Sequence, residues 1–190
     1  VTADRTSRRP DVTTTELIGG VEKRDLVLVD YDPRWPAAYH EHERRIHAAL
    51  GRGVRVEHVG STSVPGLAAK PIIDILVTVE DITAEEDYLP PLLDAGYELR
   101  VREPGHRLVR TPARDVHVHI NQVGDQDAED LLLLRDRLRS APEDRDLYER
   151  TKRALLSQDW PDMNSYAAAK SAVIAQIKAR AHQSRGADPA

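Results

Sequence analysis

From Ile72 to Val79 the chain runs Ile-Ile-Asp-Ile-Leu-Val-Thr-Val, and no other stretch limits the possible folds as much. Apolar residues on successive positions, rich in β-branching, describe a strand covered on both faces. Such a strand belongs in the middle of a layered fold. Its one charge, Asp74, must then find a cation, a hydrogen-bond set or water, because burying an unpaired carboxylate is strongly unfavourable.

The neighbouring patterns supply the layers. Leu26 to Asp30 is a short apolar run stopped by Asp32-Pro33 and reads as a strand. Pro36 to Leu50 carries Ala38, Ile46 and Leu50 at roughly helical spacing, with Gly51 as a stop. Val54 to Val59 alternates and reads as a strand on which Glu57 and His58 face opposite ways. A helix is expected over Tyr88 to Gly96, and strands over Tyr97 to Val101, Arg107 to Arg110 and Val116 to Ile120. Glu129 to Ser140, Pro142 to Ser157 and Asn164 to Ala181 read as a closing helical layer. The fold class is therefore α+β, a mixed sheet packed with helices and a helical C-terminal part. Residues 1–15 and 182–190 lack apolar periodicity and are expected to be disordered tails around one domain, 16–181.

Composition excludes several functions. Twenty-seven basic against 32 acidic residues give a net charge of −5, which disfavours a general polyanion binder. Aromatic content of 4 % supplies few stacking platforms, so nucleic acid is not expected as a partner. With no cysteine, any metal must be held by His, Asp or Glu. The absence of a long apolar run and the polar, Arg-rich start give the expectation of a cytoplasmic protein that does not engage a membrane.

Chemistry concentrates between Glu57 and Ile75. A strand ending in Gly60-Ser61 lets backbone approach a phosphate, the hydroxyls of Ser61, Thr62 and Ser63 can donate to its oxygens, and Lys70 adds a cation. Asp74 on the next strand would lie across this loop, where a divalent cation bridging carboxylate and phosphate would offset two repelling anions. The competing reading is a polar turn whose hydroxyls cap local backbone, with Asp74 paired to Lys70 or an arginine.

The segment Glu-His-Val-Gly-Ser-Thr-Ser-Val-Pro-Gly-Leu resembles the GrpB-like proteins. So do Leu17-Ile18-Gly19-Gly20, Tyr31-Asp32-Pro33 with Trp35, His117-Val118-His119, Leu134-Arg135-Asp136 with Leu138-Arg139, and Tyr166 with Lys170-Ser171. The resemblance implies the nucleotidyltransferase superfamily fold related to polymerase β, with a cleft beside the Gly-Ser turn. Relatives also occur as an accessory domain of some dephospho-CoA kinases. One departure matters: where a second carboxylate would follow Asp74 on the same strand face, this chain has Leu76. Other ligands must then complete a metal site, and His117 and His119, alternate residues of one strand, share a face.

Asp74, His117 and His119 are thus the candidate catalytic and metal-holding residues. Gly60, Ser61, Thr62, Ser63, Lys70, Tyr166 and Lys170 are the candidates for nucleotide phosphate, and Glu57, His58 and Arg135 for support. The expected cofactor is a divalent cation, Mg²⁺ or Mn²⁺, although nitrogen ligands suit Mn²⁺, Fe²⁺ or Zn²⁺ better. ATP or another nucleoside triphosphate is the expected small-molecule partner, with the acceptor open. Three functions follow: metal-dependent nucleotidyl transfer, a noncatalytic nucleotide-binding module, or metal-assisted hydrolysis or ATP-dependent activation of a metabolite in the same pocket. Tyr166, Lys170, Val173 and Ile177 lie on one helical stripe, so Lys170 is expected to face the cleft.

Overall fold

The computed structural model describes residues 10–22, 27–156, 158, 160, 165 and 168–186. Its elements are β1 (Glu16–Leu17), α1 (Trp35–Leu50), β2 (Arg55–Val59), a 3-10 turn at Ser61–Ser63, β3 (Ile73–Val79), α2 (Glu85–Asp94), β4 (Glu98–Glu103), β5 (His106–Arg110), β6 (Val116–Gln122), α3 (Gln126–Ser140), α4 (Pro142–Leu156) and α5 (Ser171–Gly186). Among the described residues six strands form one sheet in the order β1-β4-β5-β6-β3-β2. Of these pairs only β3 with β6 is parallel, so the sheet is mixed.

The apolar run of β3 lies next to the β2 edge strand and is covered on both faces. Ile73, Ile75, Val77 and Val79 join Val116, Val118 and Ile120 of β6 beneath α1 and α2, in a core with Trp35, Ile46 and Leu92. On the other face Leu76 packs with Val59 and with Ala128 and Leu132 of α3. A further cluster, Val64, Leu67, Leu138, Tyr148, Val173 and Ile177, binds α3, α4 and α5 to the loop after β2. The C-terminal helices therefore roof the sheet face that carries Asp74. No helix among the described residues is long and apolar enough to cross a membrane.

Several boundaries differ from expectation for physical reasons. Helix α2 begins at Glu85 rather than Tyr88: Glu85, Glu86 and Asp87 favour a helix N-terminus, while the buried Tyr88, Leu89 and Leu92 supply the apolar periodicity. Helix α3 starts at Gln126, because Asp125 Oδ1 accepts from the amides of Asp127 at 2.9 Å and Ala128 at 3.1 Å. The acidic stretch there is an N-cap and first turn. The strand expected over Leu26 to Asp30 reduces, among described residues, to one bridge of Val29 with Ala69. Extending it would require an amide that Pro71 lacks.

Helix α5 is described from Ser171 to Gly186, past the expected end at Ala181. Residues 161–164, at its expected start, lie outside the described residues. Within the expected N-terminal tail, Asp11 accepts from Arg107 Nη2 at 2.6 Å and from the Gly105 amide at 2.7 Å, which ties residues 11–12 to the β4–β5 turn.

Candidate metal and phosphate site

Strand register gathers the three candidate ligands. In the parallel β3–β6 pair Asp74 lies opposite His117 and Leu76 opposite His119, so the acid and both imidazoles emerge on the face beneath α3. Asp74 Oδ1 is 3.6 Å from His117 Nδ1 and 3.5 Å from His119 Nε2. One donor atom from each residue falls within 4.8 Å of the others, and among the described residues this trio is the group of His and carboxylate side chains able to hold an ion. Ligand bonds of ~2.1 Å place neighbouring donors roughly 3.0–3.4 Å apart, so the Asp–His spacings need only a few tenths of an ångström of closure. The donor set fits a divalent ion. Leu76 takes the second-carboxylate position because it is fully buried against α3, and His119 on the adjacent strand faces Asp74 instead.

Burial pushes the Asp74 carboxyl up, but the hydrogen bond from His119 and the charges of His119, His117 and Lys170 outweigh it and hold the pKa below the usual carboxylate range. The lysine acting on Asp74 is thus Lys170, one residue ahead of α5, while Val173 and Ile177 are buried on the same stripe. Tyr166 lies outside the described residues.

Gly60 ends β2 with φ +68 and backs directly onto Asp74, a conformation and a proximity that only glycine accommodates. Beyond it the loop hydroxyls divide by role. Ser63 Oγ donates to the Gly60 carbonyl at 2.6 Å, and Thr62 Oγ1 donates to the Ile72 carbonyl at 3.1 Å. Both are buried and hold the loop closed, which leaves Ser61, half-buried, as the hydroxyl that Lys152 reaches. Lys70 follows Ala69, the residue bridged to Val29, and is half-buried at the far end of the loop.

The supporting residues separate across the sheet as the alternation of β2 requires. Glu57 accepts from Arg135 Nη1 at 2.7 Å on the α3 side, and the same nitrogen reaches the His58 carbonyl at 3.2 Å. The His58 side chain points to the opposite face, stacked on Tyr39 with ring centroids 4.7 Å apart. Because the Thr62 hydrogen already goes to Ile72, His58 Nε2 is the donor in its 3.1 Å contact with Thr62. Burial, with the nearby arginines, pushes the His58 pKa down to about 4.

Two grips on the loop were not anticipated from sequence. Arg139 of α3 donates twice to the Ser63 carbonyl, at 2.9 and 2.8 Å. One turn apart on α4, Glu149 accepts from the Ala68 amide at 3.0 Å while Lys152 donates to the Ala68 carbonyl and to Ser61 Oγ at 3.2 Å. Lys152 is buried, and burial together with the charge of Lys170 pushes its pKa down to about 7. A lysine at an i, i+3 spacing from a glutamate on an amphipathic helix looks like any surface pair, so no local signal marked it. A cavity of about 930 Å³ lies elsewhere, between Leu50, Thr78, Asp81 and Tyr88 at the other end of β3, and none of the three candidate ligands lines it.

Comparison with known proteins places this arrangement in context. A family model described as GrpB protein matches residues 25–180. A UPF0157 protein of Streptomyces coelicolor is 64 % identical over 178 residues, covering 94 % of this chain and 96 % of that one. The crystal structure of the conserved protein GrpB from Enterococcus faecalis overlays with a TM-score of 0.73 at 33 % identity, over 84 % of this chain and 99 % of that one. A dephospho-CoA kinase of Mycolicibacterium paratuberculosis is 34 % identical over 180 residues, 79 % of this chain but 44 % of that protein.

Proposed function

The chain belongs to the GrpB protein family, and from that premise we propose that it is a divalent-cation-dependent nucleotidyltransferase, taking ATP or another nucleoside triphosphate and passing the nucleotidyl group to a separate acceptor. The observation that carries the proposal is the convergence of three donors, Asp74, His117 and His119, on one point beside the Gly60-Ser61 turn. An ion held there would screen the negative charge that develops on the transferred phosphoryl oxygens.

The chain's own groups do the remainder. Ser61 and the backbone after Gly60 receive phosphate oxygens, and the loop stays in shape because Thr62, Ser63, Arg139 and Glu149 hold it from within and behind. Lys170 and Lys152, forced into partly desolvated positions, gain most when an anion arrives, which favours triphosphate over water. Catalysis in this reading is positioning plus charge stabilisation, without a covalent enzyme intermediate.

A noncatalytic nucleotide-binding module is the second reading. It is favoured by Leu76 at the second-carboxylate position and by the match to under half of a dephospho-CoA kinase. Incubating the protein with each nucleoside triphosphate and Mg²⁺ or Mn²⁺ separates the two. Pyrophosphate release with a labelled adduct, lost in Asp74→Asn, supports transfer. Saturable binding without pyrophosphate under every condition supports the module, and absence of nucleotide binding overturns both.

A further inference from the structure

His119 is held from behind by a hydrogen-bonded chain that fixes which of its nitrogens faces Asp74. Its Nδ1 lies 3.2 Å from His106 Nε2, the two rings stacked with centroids 5.4 Å apart. His106 Nδ1 in turn lies 3.1 Å from Glu103 Oε2. A carboxylate only accepts, so His106 Nδ1 carries the hydrogen. A neutral imidazole has one N–H, so His106 Nε2 accepts and His119 Nδ1 donates to it. In the neutral form, the one that can ligate a metal, His119 then directs its Nε2 lone pair at Asp74 Oδ1, 3.5 Å away, where the protonated form donates a hydrogen bond. Two acceptors turned toward each other repel, and a cation between them removes the repulsion.

We propose that Glu103 and His106 form a clamp that presents His119 Nε2 as a donor atom, making the site selective for a transition ion such as Mn²⁺ or Zn²⁺ over Mg²⁺. This rests on the reading that Asp74, His117 and His119 hold a cation. A histidine ligand that donates its other ring hydrogen to a second acceptor is oriented and made more basic, and loss of such partners costs about 10–100-fold in metal affinity. Nitrogen donors favour Mn²⁺ and Zn²⁺ over Mg²⁺, which prefers oxygen. His106 is here a positioning residue, one step removed from the ion.

Calorimetric titration of the full chain with Mn²⁺, Zn²⁺ and Mg²⁺, for wild type, His106→Phe and His106→Gln, tests the clamp. Wild type is expected to bind Mn²⁺ and Zn²⁺ more tightly than Mg²⁺. His106→Phe should lose about 10–100-fold in affinity for both transition ions, whereas His106→Gln, whose amide oxygen can accept from His119 Nδ1, should stay close to wild type. His106 borders a cavity of about 340 Å³ that gives the phenyl ring room. Glu103→Met, at a side chain 43 % exposed, repeats the test without touching packing should the Phe variant fold poorly. In the Zn²⁺-loaded protein, ¹⁵N spectra of the histidines should show His119 ligated through Nε2. Wild-type binding with His106→Phe and Glu103→Met unimpaired, ligation through Nδ1, or tighter binding of Mg²⁺ overturns the clamp alone. Failure of wild type to bind any of the three ions overturns the clamp and the cation reading together.

Discussion

A methyl group placed on Gly60 would lie 2.5 Å from Asp74 Oδ2, so the end of β2 and the acid of β3 occupy one close contact in which neither can change alone. Gly60→Ala must therefore move Asp74 and also hold alanine at φ +68. That backbone conformation, with ψ −174, is essentially reserved for glycine and by itself costs another residue roughly 1–3 kcal/mol. The expected result is a lower melting temperature together with weakened Mn²⁺ binding. Unchanged values of both would contradict the contact.

Lys152 gives a pH signature. Its pKa in the fold is about 7 against an ordinary 10.5. Between those values the unfolded chain holds a proton that the fold has released, so the penalty of burying the ammonium is fully present below about pH 7 and is relieved as pH rises toward 10. Lys152→Met removes that titration. Its melting temperature relative to wild type is expected to fall steadily from pH 6.5 to 9.5, and a constant difference would refute the shift.

His58 acts at the acid end. Burial holds its pKa near 4, whereas the unfolded chain protonates it at 6.5, so the fold loses stability as pH falls through that interval. The full separation corresponds to roughly 3 kcal/mol. Urea denaturation of wild type and His58→Gln from pH 7 to 4 should show a shallower decline in the variant. Parallel curves would mean that His58 is not kept neutral.

Arg139 tests whether the loop's shape governs anion binding. Arg139→Gln removes both donors from the Ser63 carbonyl and is expected to destabilise by about 1–3 kcal/mol. Nucleotide affinity should weaken with it, while Mn²⁺ affinity, set by strands β3 and β6, should hold. Loss of metal binding in this variant would show that the two halves of the site are not separable.

The alternation in Val54 to Val59 correctly separates Glu57 from His58, and the apolar run of β3 correctly requires layers on both faces, because a period of two and an unbroken run each leave one packing solution. His117 and His119 were also readable as one face. Their grouping with Asp74 was expected only from the need for further ligands, because the register that aligns them is set by β3–β6 contacts some forty residues apart. Long-range placement likewise hides Lys152, Arg139 and His106, which reach the site or its supports from other elements and whose local patterns are those of ordinary helix or strand residues. Helix starts were misplaced at α2 and α3 because charged first turns favour helix through the backbone dipole and caps, which hydrophobic periodicity does not register.

The parallel pairing of β3 with β6 also governs when the site can come into being. Antiparallel hairpins such as β4–β5 close over a few residues, whereas β3 meets β6 only after the intervening helix and hairpin have been laid down. Asp74 is thus a stranger to the two histidines in the nascent chain, and only the β3–β6 pairing brings all three donors together. Capture of an ion by all three donors would follow that long-range pairing, so an ion would stabilise the finished protein without templating it, and refolding rates should be indifferent to Mn²⁺ even where unfolding is slowed.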